Sequence, residues 1–263
     1  STIGGGTSNT ASCYYATVSG GFCNTATSPS STISGGERNT VSGSYSFVGG
    51  GRLNTASGSF SAVLGGSQNT ASGSFDSFVG NGRCNTASGT YFASVLNGCC
   101  NVASGCCYST VSNGYRNTAS NKYSMVINGY FNTSSGYYSS ITNGTENNIT
   151  SGFHINILNG DYNCASGCFS TVLNGACNVV SNCYSSVSNG YCNIVDGLYS
   201  SVLNGCCNNV CGINEVSILG SNICADRTCS TFVNNLSIKN IPTSSAGLPS
   251  GSVWNDSGTL KIV

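Results

Sequence analysis

The sequence predicts an all-β protein: a parallel β-solenoid (β-roll) of about fourteen coils of 15–16 residues, closed by a C-terminal cap. Three observations predict it. An asparagine returns every 15 or 16 residues, a glycine stands three residues ahead of each one, and short apolar segments alternate between them. The asparagine occurs fourteen times, from Asn9 through Asn54, Asn69, Asn85 and Asn101 to Asn208. Its glycine occurs as often, from Gly6 through Gly51, Gly66, Gly82 and Gly98 to Gly205. Helix-containing repeats such as ankyrin or tetratricopeptide units need about 33 residues or more, so this period excludes them. It suits one solenoid turn that pairs with the next at about 4.8 Å, and fourteen such turns make a rod roughly 65 to 70 Å long.

One unit, from Asn54, reads Asn-Thr-Ala-Ser-Gly-Ser-Phe-Ser-Ala-Val-Leu-Gly-Gly-Ser-Gln. Two short alternating strands are visible, one punctuated by Gly58 and the other by Gly65-Gly66. β-Branched and aromatic residues at period two favour strands, and Gly and Asn-Gly steps are expected to supply the positive φ of the corners. Alternation assigns the faces. Ser61 and Val63 share one side of the second strand, and Phe60, Ala62 and Leu64 share the other. A narrow coil cannot enclose both sets, so serine and valine are placed inside with the alanine of the first strand. The aromatic and leucine residues then form an outward apolar stripe, which calls for burial against sister chains. The opposite polarity, with aromatics inside, stays open at this point.

Composition limits function. Charged residues are 6% of the 263, eight basic against eight acidic, where a soluble domain has about 25%. Nothing here makes an electrostatic footprint for nucleic acid or anionic lipid. The 36 glycines and abundant serine suggest low complexity, but 39% apolar and aromatic residues at regular spacing argue against disorder. No apolar run nears the roughly 18 to 20 residues of a membrane span, so no membrane insertion is expected. The start at Ser1 inside a repeat, with no basic-then-apolar leader, reads as a processed product or a fragment.

The period loosens after Asn208, which divides the chain into a repeat domain (1–222), a degenerate terminal coil (223–240) and a C-terminal element (241–263). That last element holds two of the three prolines, Pro242 and Pro249, and the only tryptophan, Trp254. Its Asn255-Asp256-Ser257-Gly258 step reads as a small hairpin, and Leu260 to Val263 as a strand able to pair with a neighbouring chain. The expected role is a cap or trimer-registration element, because a bare last coil invites uncontrolled stacking.

The recurring Asn-Thr-Ala-Ser-Gly, followed by Tyr-Ser-x-Val-x-x-Gly, resembles the β-roll heads of trimeric autotransporter adhesins. It is still more similar to the Gly-rich repeats of phage and large-virus fibre proteins. The closing Ile-Pro-Thr-Ser-Ser-Ala-Gly-Leu-Pro-Ser-Gly-Ser-Val-Trp-Asn-Asp-Ser-Gly-Thr-Leu-Lys-Ile-Val looks like the short element that ends many viral structural proteins. The resemblance implies a non-enzymatic fibre or spike subunit on a virion or cell surface. It would be a homotrimer, stacked into a filament if solenoid ends meet, and would engage a surface receptor or glycan. A bacterial adhesin or extracellular filament subunit is the alternative. The chain departs from the adhesins in lacking a coiled-coil stalk or membrane anchor and in carrying seventeen cysteines.

Those cysteines gather in columns. Cys177, Cys192 and Cys207 each precede the repeat asparagine on successive coils. Same-column Cα atoms about 4.8 Å apart lie within disulfide range, so rung-to-rung or interchain disulfides are one reading. Small buried thiols in a reducing compartment are the other. Adjacent pairs such as Cys99-Cys100, and the wider Cys164–Cys168 spacing, make poor zinc half-sites, so no metal or other cofactor is expected. For catalysis there is one histidine, His154, in a column otherwise aromatic, and scattered single carboxylates. No triad or paired-acid motif emerges. Finally, a Thr-x-Ser ladder (Thr40 and Ser42, Thr55 and Ser57, Thr70 and Ser72, Thr86 and Ser88) resembles ice-binding solenoids, a minor alternative, and it decays in the later coils.

Overall fold

The computed structural model describes residues 1–237 and 241–263. It separates into two units, Ser1–Phe232 and Val233–Val263. The first is the solenoid. Its two parallel sheets have 16 and 13 strands, the larger running from Thr2–Ile3 to Ser230–Val233 and the smaller from Thr10–Ala11 to Ile194–Val195. Most strands are two residues long, and each pairs with its equivalent one coil away, as Thr55 does with Thr70 and Ala62 with Phe78. The larger sheet continues past residue 222 into the stretch expected to be a degenerate coil; positions 238–240 of that stretch lie outside the described residues.

The expected polarity holds. In the coil from Asn54, the residues Ala56, Ser61 and Val63 are buried, whereas Phe60 and Leu64 are exposed. The fully buried apolar residues are alanine, valine and isoleucine alone, because two sheets joined by tight corners leave no room for a ring.

The repeat asparagine acts through its side chain. It does not take positive φ; its side chain is buried and satisfies polar groups that would otherwise be stranded. Asn54 Oδ1 accepts the Asn69 backbone N–H at 3.0 Å, and Asn54 Nδ2 donates to the Gly50 and Gly66 carbonyls at 2.9 Å each. Asn69 repeats the pattern towards Asn85, and Asn85 towards Asn101. The ladder begins with Asn9 and ends where Asn208 Oδ1 accepts from Ile223.

Within the repeats, positive φ recurs on three columns. One is the glycine column: Gly98 has φ +100, and a Cβ there would come within 2.3 Å of the Gly114 carbonyl oxygen. Glycine is thus required both for backbone conformation and for close rung approach. The other two columns are not glycine. The residue before each asparagine has φ between 53° and 58°, and the aromatic column has φ between 51° and 57°. For L-residues this conformation costs about 1 to 2 kcal/mol.

A buried serine column completes the interior. Ser46 Oγ donates to the Gly58 carbonyl at 2.6 Å and accepts the Ser61 N–H at 3.1 Å. Ser77 and Ser170 are exceptions, with hydroxyls that have no partner among the described residues. Each adjoins a coil where the column turns apolar, Ala93 next to Ser77 and Ile155 next to Ser170.

The second unit contains the expected hairpin. Val253–Asp256 pairs antiparallel with Thr259–Ile262 across Ser257-Gly258, both at positive φ. Leu260 to Ile262 pairs along one edge within its own chain, because a two-residue turn of this type brings the strand back onto its partner. Trp254 is half-buried, with Lys261 Nζ 5.7 Å from its ring centroid.

Two substitutions test this account in opposite directions. Asn101→Ala strands the Asn117 N–H and the Asn97 carbonyl and takes one of two donors from the Gly114 carbonyl, which keeps the Cys99 N–H, and denaturant unfolding should show a loss of about 2 kcal/mol or more. Ser77→Ala removes a buried hydroxyl without a partner and should stabilise by about 1 kcal/mol. A neutral Asn101→Ala would show that the ladder is incidental to stability.

Candidate functional site

Among the described residues no cluster placed to hold a metal ion forms, and the surface presents side chains in columns. At one corner the aromatic column becomes a ladder. Phe92, Tyr108, Tyr123, Tyr138, His154, Phe169, Tyr184 and Tyr199 stack in an unbroken run. A separate pair, Tyr45 and Phe60, precedes it. Centroid separations run from 4.4 Å for Tyr123–Tyr138 to 5.2 Å for Tyr108–Tyr123. Stacking of about 0.5 to 1.5 kcal/mol per pair offsets much of the cost of left-handed backbone, which explains why bulky rings occupy a corner that glycine would take without strain.

His154 lies inside this run, 5.0 Å from both Tyr138 and Phe169, as its column position implied. Beside the ladder, Tyr137 packs edge-on against Tyr123 and Tyr138. Lys122 Nζ lies 5.4 Å from the Tyr123 ring and 5.8 Å from that of Tyr137. The Lys122 ammonium is pushed above its usual range, chiefly by the negative charge Tyr137 acquires on ionisation. Packing against neighbours, then the charge of Tyr138, raises the Tyr123 phenol.

The single outward stripe read from the sequence is two. Left-handed backbone at Phe60 turns that ring onto the corner, away from Leu64. Leu64, Leu96, Ile127, Leu158, Leu173 and Leu203 form a second, aliphatic column, exposed and interrupted by Gly80, Ser112, Thr142 and Ser188.

None of the seventeen cysteines, Cys177, Cys192 and Cys207 included, is joined to another in the structure. Where their ionisation is displaced, it is displaced upward. Burial, then the neighbouring Cys192, raises Cys177; burial, then Cys206, raises Cys207. Cys211, whose Sγ lies 3.0 Å from that of Cys224, is pushed up to about 11, mainly by this shared hydrogen bond. Nucleophilic and metal-binding cysteines need depressed values. Among the described residues no group of three or more His, Cys, Asp or Glu side chains is placed to hold a metal ion.

The remaining sequence candidates are surface features. Glu37 pairs with Arg38 at 3.4 Å and with Arg52 at 3.7 Å, and Asp226 with Arg227 at 3.0 Å, all exposed. Thr10 to Thr86 hold strict register on the smaller sheet, until Val102 and later Asn148, Cys164, Val179 and Ile194 interrupt. The site residues Gly51, Gly66, Gly82, Gly98, Asn54, Asn69, Asn85 and Asn101 sit together along one corner as scaffold. The aromatic ladder was missed as a unit, although ring positions 15 or 16 residues apart on successive coils carried its signal. The protein defined by this geometry is a parallel β-solenoid repeat protein. No family model and no curated protein matches the chain.

Thiol chemistry gives a direct check. Denatured, unreduced protein should yield seventeen labelled thiols, and in the folded state at pH 8 Cys211 should alkylate more slowly than an ordinary exposed cysteine, because it stays protonated. Recovery of fewer than seventeen would restore the disulfide reading.

Proposed function

We propose that the chain is a structural and adhesive fibre or spike subunit of a virus or phage particle, assembled as a homotrimer and displayed on the surface. The observation that carries this reading is the exposed aliphatic column of Leu64, Leu96, Ile127, Leu158, Leu173 and Leu203, which runs along a rigid stack of coils. Exposed aliphatic side chains repeated along one edge favour association with further copies of the same edge. The aromatic ladder lies on a separate corner, exposed and free for contact with other molecules. Side chains arranged coil by coil, with 6% charge and no metal cluster among the described residues, suit display better than chemistry. The similarity of the last 23 residues to the closing element of viral structural proteins gives the particle assignment. Unjoined cysteines fit assembly in a reducing cytosol rather than secretion.

Light scattering of the purified protein should give three times the 26.7 kDa chain mass at micromolar concentration. The double variant Leu158→Arg, Leu173→Arg should give a monomer with unchanged β-type circular dichroism. A stable wild-type monomer would overturn the fibre reading.

A further inference from the structure

The aromatic ladder has two gaps. Ser30 occupies the ring position between Tyr15 and Tyr45, and Asp76 occupies it between Phe60 and Phe92. Backbone geometry fixes this placement. The Ser30 N–H donates to the Tyr14 carbonyl at 2.9 Å and the Asp76 N–H to the Ser59 carbonyl at 3.1 Å, just as the Phe60 N–H donates to Ser44 at 2.9 Å. Both residues keep the left-handed conformation of the column, with φ of 54° and 51°.

Each gap opens ring faces that the rest of the ladder conceals. Tyr45 and Phe60 cover one another at 5.2 Å, so the other face of Tyr45 looks over Ser30 and the other face of Phe60 over Asp76. Phe92 is covered by Tyr108 at 4.8 Å on its far side only. The walls of a gap stand two coils apart, about 10 Å, which admits one ring-sized guest at roughly 5 Å from each face. Around Ser30 the opening is a cleft of about 570 Å³, with Tyr14 and Pro29 on its border. At the other gap, Phe75 and Tyr91 stack at 5.5 Å alongside, and the Asp76 carboxylate is exposed with neither an ion pair nor a hydrogen bond among the described residues.

We propose that these two gaps are pyranose subsites and that the ladder corner binds an uncharged glycan; this deepens, and rests on, the adhesive reading given above. A sugar ring meets both requirements of such a slot. Its C–H faces lie against two ring faces whose quadrupoles are negative at the centre. Its rim hydroxyls donate to the Asp76 carboxylate and exchange hydrogen bonds with Ser30. An inserted apolar or aromatic side chain would remove the carboxylate from water without giving it a partner. A cation would suit Asp76 but finds no charge at Ser30. The gaps lie three coils apart, about 15 Å, so one short oligosaccharide reaches both and gains from the effective concentration of the second site.

The test is saturation-transfer NMR on the full chain with N-acetylglucosamine, methyl β-galactoside, methyl α-mannoside and maltotetraose as probes. The wild type should transfer magnetisation to the C–H protons of at least one probe. The double variant Ser30→Tyr, Asp76→Tyr completes the ladder and so keeps the fold, which circular dichroism verifies; its binding should fall at least about tenfold. No transfer to any probe, equal binding by the filled variant, or preferential binding of tetramethylammonium would each overturn the proposal. Light scattering on the same samples separates it from the fibre reading: a trimer that binds no probe overturns the subsites alone, and a monomer that binds them overturns the fibre alone.

Discussion

The structure depends on a buried primary amide repeated once per coil. A two-residue strand provides few backbone hydrogen bonds, and the corners between strands leave carbonyls and amides facing inward. The asparagine side chain answers this with one acceptor and two donors in a fixed plane. Asn101, for example, accepts from Asn117 and donates to the carbonyls of Asn97 and Gly114. It thereby ties three corner groups on two coils into one network, and a buried network of this kind is stabilising only when every member is satisfied. An aspartate there would lose the donors and bury a charge, and an alanine would lose the acceptor as well.

The other columns follow from that constraint. With the amide filling the interior at one corner, the glycine three residues earlier must pass close to its neighbour, and no Cβ fits between Gly98 and the Gly114 carbonyl. The interior that remains accommodates Ala, Ser, Val and Ile, so the rings of the repeat coils lie outside, and only Phe232 of the solenoid's last strand packs against the core among the described residues. Rings held outside at left-handed corners gain from stacking along the rod axis. The surface therefore becomes a set of parallel columns in which a change at one coil, such as Ser30 or Asp76, alters the space between its two neighbours. Functional variety in this architecture enters one residue at a time.

Much of this was legible in the sequence. The Asn and Gly columns gave the coil length, alternation at Ser61 and Val63 gave the interior, and the Asn255-Asp256-Ser257-Gly258 step gave the hairpin, whose turn is its last two residues. The function of the asparagine was not legible, because asparagine is common at positive φ and at turns, and only the packing of coil on coil shows Asn54 pointing inward. The left-handed state of Phe60 was hidden for the same reason: local preference disfavours it, and stacking between coils overrides local preference. As a result the aromatic and leucine positions read as one stripe when they occupy separate edges. The cysteine columns were visible, but sequence spacing allowed sulfur pairing without deciding it.

Native-state hydrogen exchange measures the central claim most directly. The backbone amides of Asn69, Asn101, Asn147 and Asn178 bond to buried side-chain oxygens rather than to any strand carbonyl. If the amide ladder holds the coils together, these four should exchange as slowly as the strand amides of Thr70 and Ala62, through global unfolding alone. Exchange of the asparagine amides at the rate of exposed corners, while the strand amides stay protected, would contradict the account.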